Sequence, residues 1–574
     1  MLPDDLSLNL VETWDDAQDL MRWLGERRNV LAVDTETSGF GWWRERLRLV
    51  QFGDTHEGWA IPWEDWPALV REIFRKYDGE LAFHNMKFDL HFLEVAGCQV
   101  KRHKVHDTSV MAHLLEPHDR IALKEVARRH VDPDAGAGQT ELKKAMAQAG
   151  WTWGTVPIDF GGFWHYSALD PVLTAYVYEA LAPQVRAQFH RVYDLEIACN
   201  LVLLDMERRG VRVDLEYCHQ KHDELHEFAR KARQWMEEHD AAPSGKRLAA
   251  ALLRAGVVLT ERTPSGNWKL DDEVLSGISH PLAETALKVR RAEKWANSYF
   301  RNFIEMSDAN DRVHPSVRPL GAVTGRMSVT DPALQTLPRG RLVRDAFIAS
   351  DGHVMLGADF EQIEARLLTH YSGDEGLIAA FLSEGDFFTQ MARQIYGDPT
   401  IEKSDPRRQT TKNAVYAKGY GAGVAQFART AGITEGEARQ FLTMMDQTYP
   451  GLRRLQNEVE RKAKERLTTE GIAYASTLYG RRQIVPPGKE YKLVNAIIQG
   501  TAADIFKQVL VDLDAAGAAE YLVLPVHDEV IFDVPEDIVT DVHATVLEVM
   551  QDHETFAVPI LADSHTGQRW GDLK

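Results

Sequence analysis

Through the first 190 positions, short apolar runs bounded by turn-forming residues alternate with segments whose apolar residues return every three or four places. VLAVDT, LRLVQFG and LAFHN read as strands, and LHFLEVAG keeps a helical period. That is an α/β layout. From about Tyr193 onward helical spacing dominates, as in LRRLQNEVERKAKERL, and the strand-like runs HVMLGAD and YLVLPVHDEVIFDV interrupt it. A domain boundary is expected near residue 190, giving domains of 1–190 and 191–574. No fixed-period repeat or low-complexity tract is visible, and DPDAGAG is the segment nearest to a flexible loop.

Composition narrows the class. The 574 residues, 44% of them hydrophobic, suffice for a large core divided among three or more units. No run approaches the roughly 18 apolar residues of a membrane span, and MLPDDLSLNL lacks the features of a secretory signal, so a soluble cytoplasmic protein without a membrane partner is expected. Cys98, Cys199 and Cys218 are odd in number and widely spaced, which suggests buried thiols. A net charge of -20 opposes bulk attraction to nucleic acid. Any phosphate contact then falls to local clusters: Lys288, Arg290, Arg291 and Lys294; Arg339, Arg341 and Arg344; Arg481 and Arg482.

Two sets of acids carry candidate chemistry. In VLAVDTETSG, Asp34 and Glu36 lie two apart at a strand end, where a period of two turns both carboxylates to one side. Asn85 and Asp89 lie four apart, as do Tyr166 and Asp170, a spacing that places each pair on one helical face. Four carboxylates without cysteine or histidine suit Mg²⁺ or Mn²⁺, and two such ions serve phosphodiester hydrolysis. In the second set, Asp359 ends a strand, and His527, Asp528 and Glu529 sit at the tip of an expected hairpin. If Asp359 and Asp528 converge, they can hold two ions for nucleotidyl transfer. Between them Arg408, Lys412, Tyr416 and Tyr420 recur every fourth residue, a stripe of cations and rings suited to a triphosphate and a base pair.

The order Asp-x-Glu, Asn-x-x-Phe-Asp, Tyr-x-x-x-Asp resembles the DEDD exonuclease superfamily with tyrosine in its third motif. The resemblance implies an RNase H-like mixed sheet, Asp34, Glu36, Asp89 and Asp170 as metal ligands, and Tyr166 assisting the nucleophile. The remainder resembles the family A DNA polymerases: motif A from Asp359 to Glu364, motif B from Arg408 to Gly421, motif C at His527–Glu529, with TGRMSVTDPALQTLP and NAIIQGTAADIFK. This implies a mainly helical right hand: thumb at about 191–310, palm with an antiparallel sheet at about 311–370 and 490–574, and fingers at about 371–489.

By the same resemblance, Asp359, Asp528 and the Phe360 carbonyl bind two Mg²⁺ ions, with Mn²⁺ as a substitute. Arg408 and Lys412 hold the incoming phosphates. Gln362, Tyr416 and Tyr420 contact the nucleotide, and Glu364 excludes a 2′-hydroxyl. Arg326, Asn495, Gln499 and His527 meet the primer end. Tyr416 stands where many bacterial members have phenylalanine, which implies ready acceptance of dideoxynucleotides. Phe388 replaces a phosphate-contacting histidine and Thr336 a frequent asparagine. The implied setting is a monomer acting on primer-template DNA and deoxynucleoside triphosphates, beside replisome proteins, in the host bacterial cytoplasm of a phage. A 5′ nuclease domain is expected to be absent, and the segment from Asp205 to Asp311 is short for a processivity-factor insertion. The alternatives are a DEDD nuclease with a DNA-binding C-terminal half, and a single-subunit RNA polymerase, against which Glu364 argues.

Overall fold

The structure is a computed structural model that describes residues 6–26, 28–338, 340–419 and 423–573. The α/β layout of the first part is observed as a six-stranded sheet. Its strands are β1 (Ser7–Leu10), β2 (Leu31–Thr37), β3 (Leu47–Gly53), β4 (Glu57–Pro62), β5 (Leu81–Phe83) and β6 (Val105–Asp107), in the order β1-β4-β3-β2-β5-β6. It is mixed: β2, β3 and β4 run antiparallel, whereas β5 joins β2, and β6 joins β5, in parallel. The central β2 and β3 are mostly buried, so their sequences read as continuous apolar runs.

A helix from Gly161 to Arg209 crosses this sheet and continues into the second part of the chain. Two glycines admit it. A Cβ on Gly58 would come 2.1 Å from the Ala168 carbonyl oxygen, and one on Gly53 would meet the Val172 nitrogen at 3.0 Å. Only a residue without a side chain lets the helix, which bears Tyr166 and Asp170, lie this close to the sheet bearing Asp34 and Glu36. The boundary expected near residue 190 therefore falls inside a continuous helix instead of at a linker.

The second part is mainly helical around a four-stranded antiparallel sheet, ordered Leu522–Val526, Glu529–Pro535, His353–Phe360, Ala562–Gly567. Its core is continuous from Cys199 to Leu573, and a smaller separate cluster joins Met236, Leu252, Leu275 and Val289.

Two buried ionic nodes fasten the crossing helix to its surroundings. Glu196 accepts from Arg481 and Lys507, and Asp504 accepts from Arg481; all four are at most 2% exposed. Further along, Glu207 accepts from Lys87, His91 and the Val317 amide. Arg481, read from sequence as part of a basic cluster for phosphate contact, is an interior ion-pair partner, because the acids that neutralise it come from distant helices. The three cysteines are free and buried. Among the described residues, no helix is long and apolar enough to cross a membrane.

Candidate active sites

In the first site Asp34, Glu36 and Asp170 converge: one carboxylate oxygen from each lies within 4.8 Å of the others, the only such group of three among the described residues. β2 supplies the first two on one side of its pleat, with a register shift between Glu36 and Thr37. The crossing helix supplies Asp170 and, one turn earlier, Tyr166, whose hydroxyl accepts from Gln139 at 3.3 Å. Asp89 is not in this group; its carboxylate accepts from the Thr35 hydroxyl at 2.7 Å and is 1% exposed. Asn85 does not share a helical face with Asp89. It precedes the helix Met86–Val95 in a left-handed conformation, φ 73, where its backbone N–H donates to the Asp107 carboxylate.

Burial and crowding raise the pKa values of these acids. Burial raises Asp34 to about 6 against the pull of Lys124. Burial and then the Asp34 charge raise Glu36 to about 8, opposed by Lys124, Arg48 and a hydrogen bond from Ser167. Burial and Asp34 also push Asp89 well above the carboxylate range, and burial pushes the Tyr166 phenol well above its ordinary value. Three oxygen ligands that repel one another until a cation arrives fit a hard divalent ion.

Sequence reading missed Lys124. It lies in the first turn of the helix Leu123–His130, 7% exposed, ion-paired to Asp170 and 4.6 Å from the centre of the Tyr166 ring. Spacing within ALKEVARRH gives no hint of this, since the acid it meets is on another helix.

The second site forms where two strands of the antiparallel sheet meet. Asp359 pairs in register with Glu529, and the Phe360 amide donates to the Asp528 carbonyl at 3.3 Å. The hairpin turn is His527–Asp528, with His527 at φ 60, and Gln362 at φ 53 turns the strand into the helix Ile363–Ser372. Strained backbone thus flanks the acids on both sides. Beside them opens a cleft of about 320 Å³ lined by Arg326, Gln335, Phe360, Gln362, Glu364, Tyr416, Lys507, His527 and Asp528, among others. Arg326 is paired with Glu364 at its edge. Gln335, another residue missed from sequence, reaches His527 at 3.3 Å from within the ALQTLP segment. Thr336 beside it turns its hydroxyl to the Ala333 carbonyl.

Other candidates stand back from the cleft. On the helix Pro406–Gly419, Arg408 makes a paired contact with Asp386 at 2.9 and 2.7 Å. Burial opposes it, but hydrogen bonds from Arg408 and Thr389 bring Asp386 down to about 2. Arg408 and Lys412 each lie 5.6 Å from the centre of the Phe388 ring, itself 5.9 Å from Tyr416. Of the described residues of this stripe only Tyr416 lines the cleft; Tyr420 lies outside the described residues, as does Arg339. Asn495 and Gln499 are partly exposed on the helix Leu493–Ala515, which lines the cleft further along with Ala502, Ala503 and Phe506.

Residues 215–572 match the model of DNA polymerase family A, and residues 9–186 match that of a 3′-5′ exonuclease. The chain belongs to DNA polymerase family A. This family A polymerase carries a 3′-5′ exonuclease domain ahead of its polymerase domain, and the reading as a nuclease with a merely DNA-binding second half gives way. It is 30% identical to a DNA polymerase of Mycobacterium phage D29, with 99% of this chain and 98% of the relative covered, and 28% identical to one of Mycobacterium phage L5 over the same shares. Its fold is similar to a solved POL domain of Pol1 from M. smegmatis in complex with DNA primer-template and dNTP, at a TM-score of 0.80 and 23% identity, covering 98% of this chain and 99% of that one.

Proposed function

We propose that this polymerase copies primer-template DNA from deoxynucleoside triphosphates and proofreads the product, in the replication of a phage genome, as a monomer in the host cytoplasm alongside replisome proteins. Two Mg²⁺ ions per site, replaceable by Mn²⁺, supply Lewis acidity and a lowered pKa for the attacking hydroxyl or water. Asp359, Asp528 and the Phe360 carbonyl hold them in the polymerase site, and Asp34, Glu36, Asp89 and Asp170 hold them in the exonuclease site. Arg408 and Lys412 neutralise the triphosphate. Tyr416, Tyr420 and Gln362 frame the nucleotide, while Glu364 closes the space a 2′-hydroxyl needs. Arg326, Asn495, Gln499 and His527 read the minor-groove side of the primer end, where acceptors are common to all correct pairs. Tyr166 orients the hydrolytic water. In this reading, residues 1–190 form the exonuclease domain, about 191–310 the thumb, about 311–370 and 490–574 the palm, and about 371–489 the fingers.

The observation that carries the reading is the backbone hydrogen bond joining Phe360 to Asp528 beside a cleft edged by Glu364, Tyr416 and Arg326. Extension of a matched primer by the wild type and by Asp528→Ala tests it. Extension by the wild type alone is expected; extension by both would remove Asp528 from the chemistry.

A further inference from the structure

Lys124 is placed at a cost that its own helix does not explain. It occupies the first turn of Leu123–His130, where the helix dipole disfavours a cation, and its ammonium is withdrawn from water. What it faces are the acids of the exonuclease site: it is paired with Asp170, lies against the Tyr166 ring, and attracts Asp34 and Glu36. The other cation acting on Glu36 is Arg48, whose guanidinium donates to the Trp153 and Val156 carbonyls at 2.7 Å each and is thereby fixed. Lys124 has no such backbone tether among the hydrogen bonds of the described residues, and its four-carbon stem lets the ammonium change partners. The chain before it is anchored instead by His84, whose ring bridges the Thr108 hydroxyl and the Ile121 carbonyl.

We propose that Lys124 is the resident cation of the exonuclease site: it neutralises Asp170 while no divalent ion is bound, yields that carboxylate to the arriving ion, and then turns its ammonium to the scissile phosphate beside Tyr166. The inference rests on the exonuclease assignment above. A purely structural ion pair would differ in one respect. Losing it would leave Asp170 stranded, deform the site and weaken both metal binding and hydrolysis together. A resident cation competes with the metal, so its removal strengthens metal binding while slowing hydrolysis.

The test is Lys124→Met, which keeps the stem and removes the charge, placed in an Asp528→Ala background so that the polymerase site contributes less to the metal signal. Mn²⁺ binding is followed by electron paramagnetic resonance, and trimming of single-stranded DNA is timed in parallel. Extension of a matched primer by Lys124→Met alone monitors folding. Tighter Mn²⁺ binding, trimming slowed on the order of 100-fold and unchanged extension are expected. Unchanged or weaker Mn²⁺ binding, or trimming at the parental rate, overturns the inference and leaves the exonuclease assignment standing. A parental protein that trims nothing overturns the assignment itself and the inference with it.

Discussion

The two sites of this molecule are built on opposite plans. In the exonuclease domain three carboxylates already lie within 4.8 Å of one another, on a sheet and a helix pressed together through Gly53 and Gly58, with a buried lysine among them. In the polymerase domain the acids lie at a strand junction, but the cations proposed for the substrates are engaged elsewhere: Arg408 with Asp386 and Lys412 over Phe388 for the triphosphate, and Arg326 with Glu364 for the primer end. Three acids of the first site are gathered before substrate arrives. On the proposed roles, the second needs its cations to change partners, which is how a conformational step can make nucleotide binding complete the machinery.

The sharpest way to break the comparison is to prise the helix from the sheet. Gly58→Val drives a side chain into the Ala168 carbonyl and should abolish trimming in a timed single-strand digestion while matched-primer extension survives; loss of extension as well would mean the two sites share one rigid frame. Next comes the node between them. Glu196→Ala leaves Arg481 and Lys507 short of a buried counter-charge and should cost about 3–5 kcal/mol, read as a lower denaturation midpoint by urea titration.

Two changes at the cleft sharpen the polymerase half. Glu364→Ala should admit ribonucleotides, seen as alkali-sensitive product; unchanged sugar selectivity would free Glu364 from the role of gate and leave only its pairing with Arg326. Tyr416→Phe should turn ready termination by dideoxynucleotides into discrimination against them, and equal termination by both forms would contradict the assignment.

The smallest effect is one of pH. Glu36 and Asp34 have folded pKa values raised to about 8 and about 6, so the folded, metal-free protein binds more protons than the unfolded chain above the ordinary carboxylate range. The contribution of these two acids to stability without metal therefore falls as pH rises from near 4 towards about 8, against the opposite contribution of buried histidines such as His113, which burial holds down at about 4. Between mildly acid and mildly alkaline pH in a chelator, the melting temperature of Glu36→Gln should gain on that of the wild type; a constant difference would contradict the raised Glu36 value.

Much of this was legible from local pattern. Strand periodicity marked β2, β3 and β5, and the i, i+2 and i, i+4 spacings pointed Asp34 with Glu36, and Tyr166 with Asp170, to common sides. What escaped was set by tertiary contact. Lys124 became part of a site because Asp170 folds onto it, and Arg481 went inside because Glu196 and Asp504 meet it there. Asp89 lies outside the group of three acids, accepting from the Thr35 hydroxyl, a contact its spacing from Asn85 does not announce. Asn85 failed the helical spacing because the helix begins one residue later, after a left-handed turn that periodicity does not register. The stripe from Arg408 to Tyr416 was recognisable as one helical face, yet which neighbour it rests on, Phe388, depends on the packing of a separate helix.

The central claim is two separable active sites in one chain. It is tested most directly on a primer ending in a mismatch, with Mg²⁺ and all four deoxynucleotides, using the wild type, Asp34→Ala and Asp528→Ala. The account predicts that the wild type trims and then extends, that Asp34→Ala extends only matched primers, and that Asp528→Ala only degrades. A wild type that degrades without ever extending, or an Asp34→Ala protein that still trims, would contradict it.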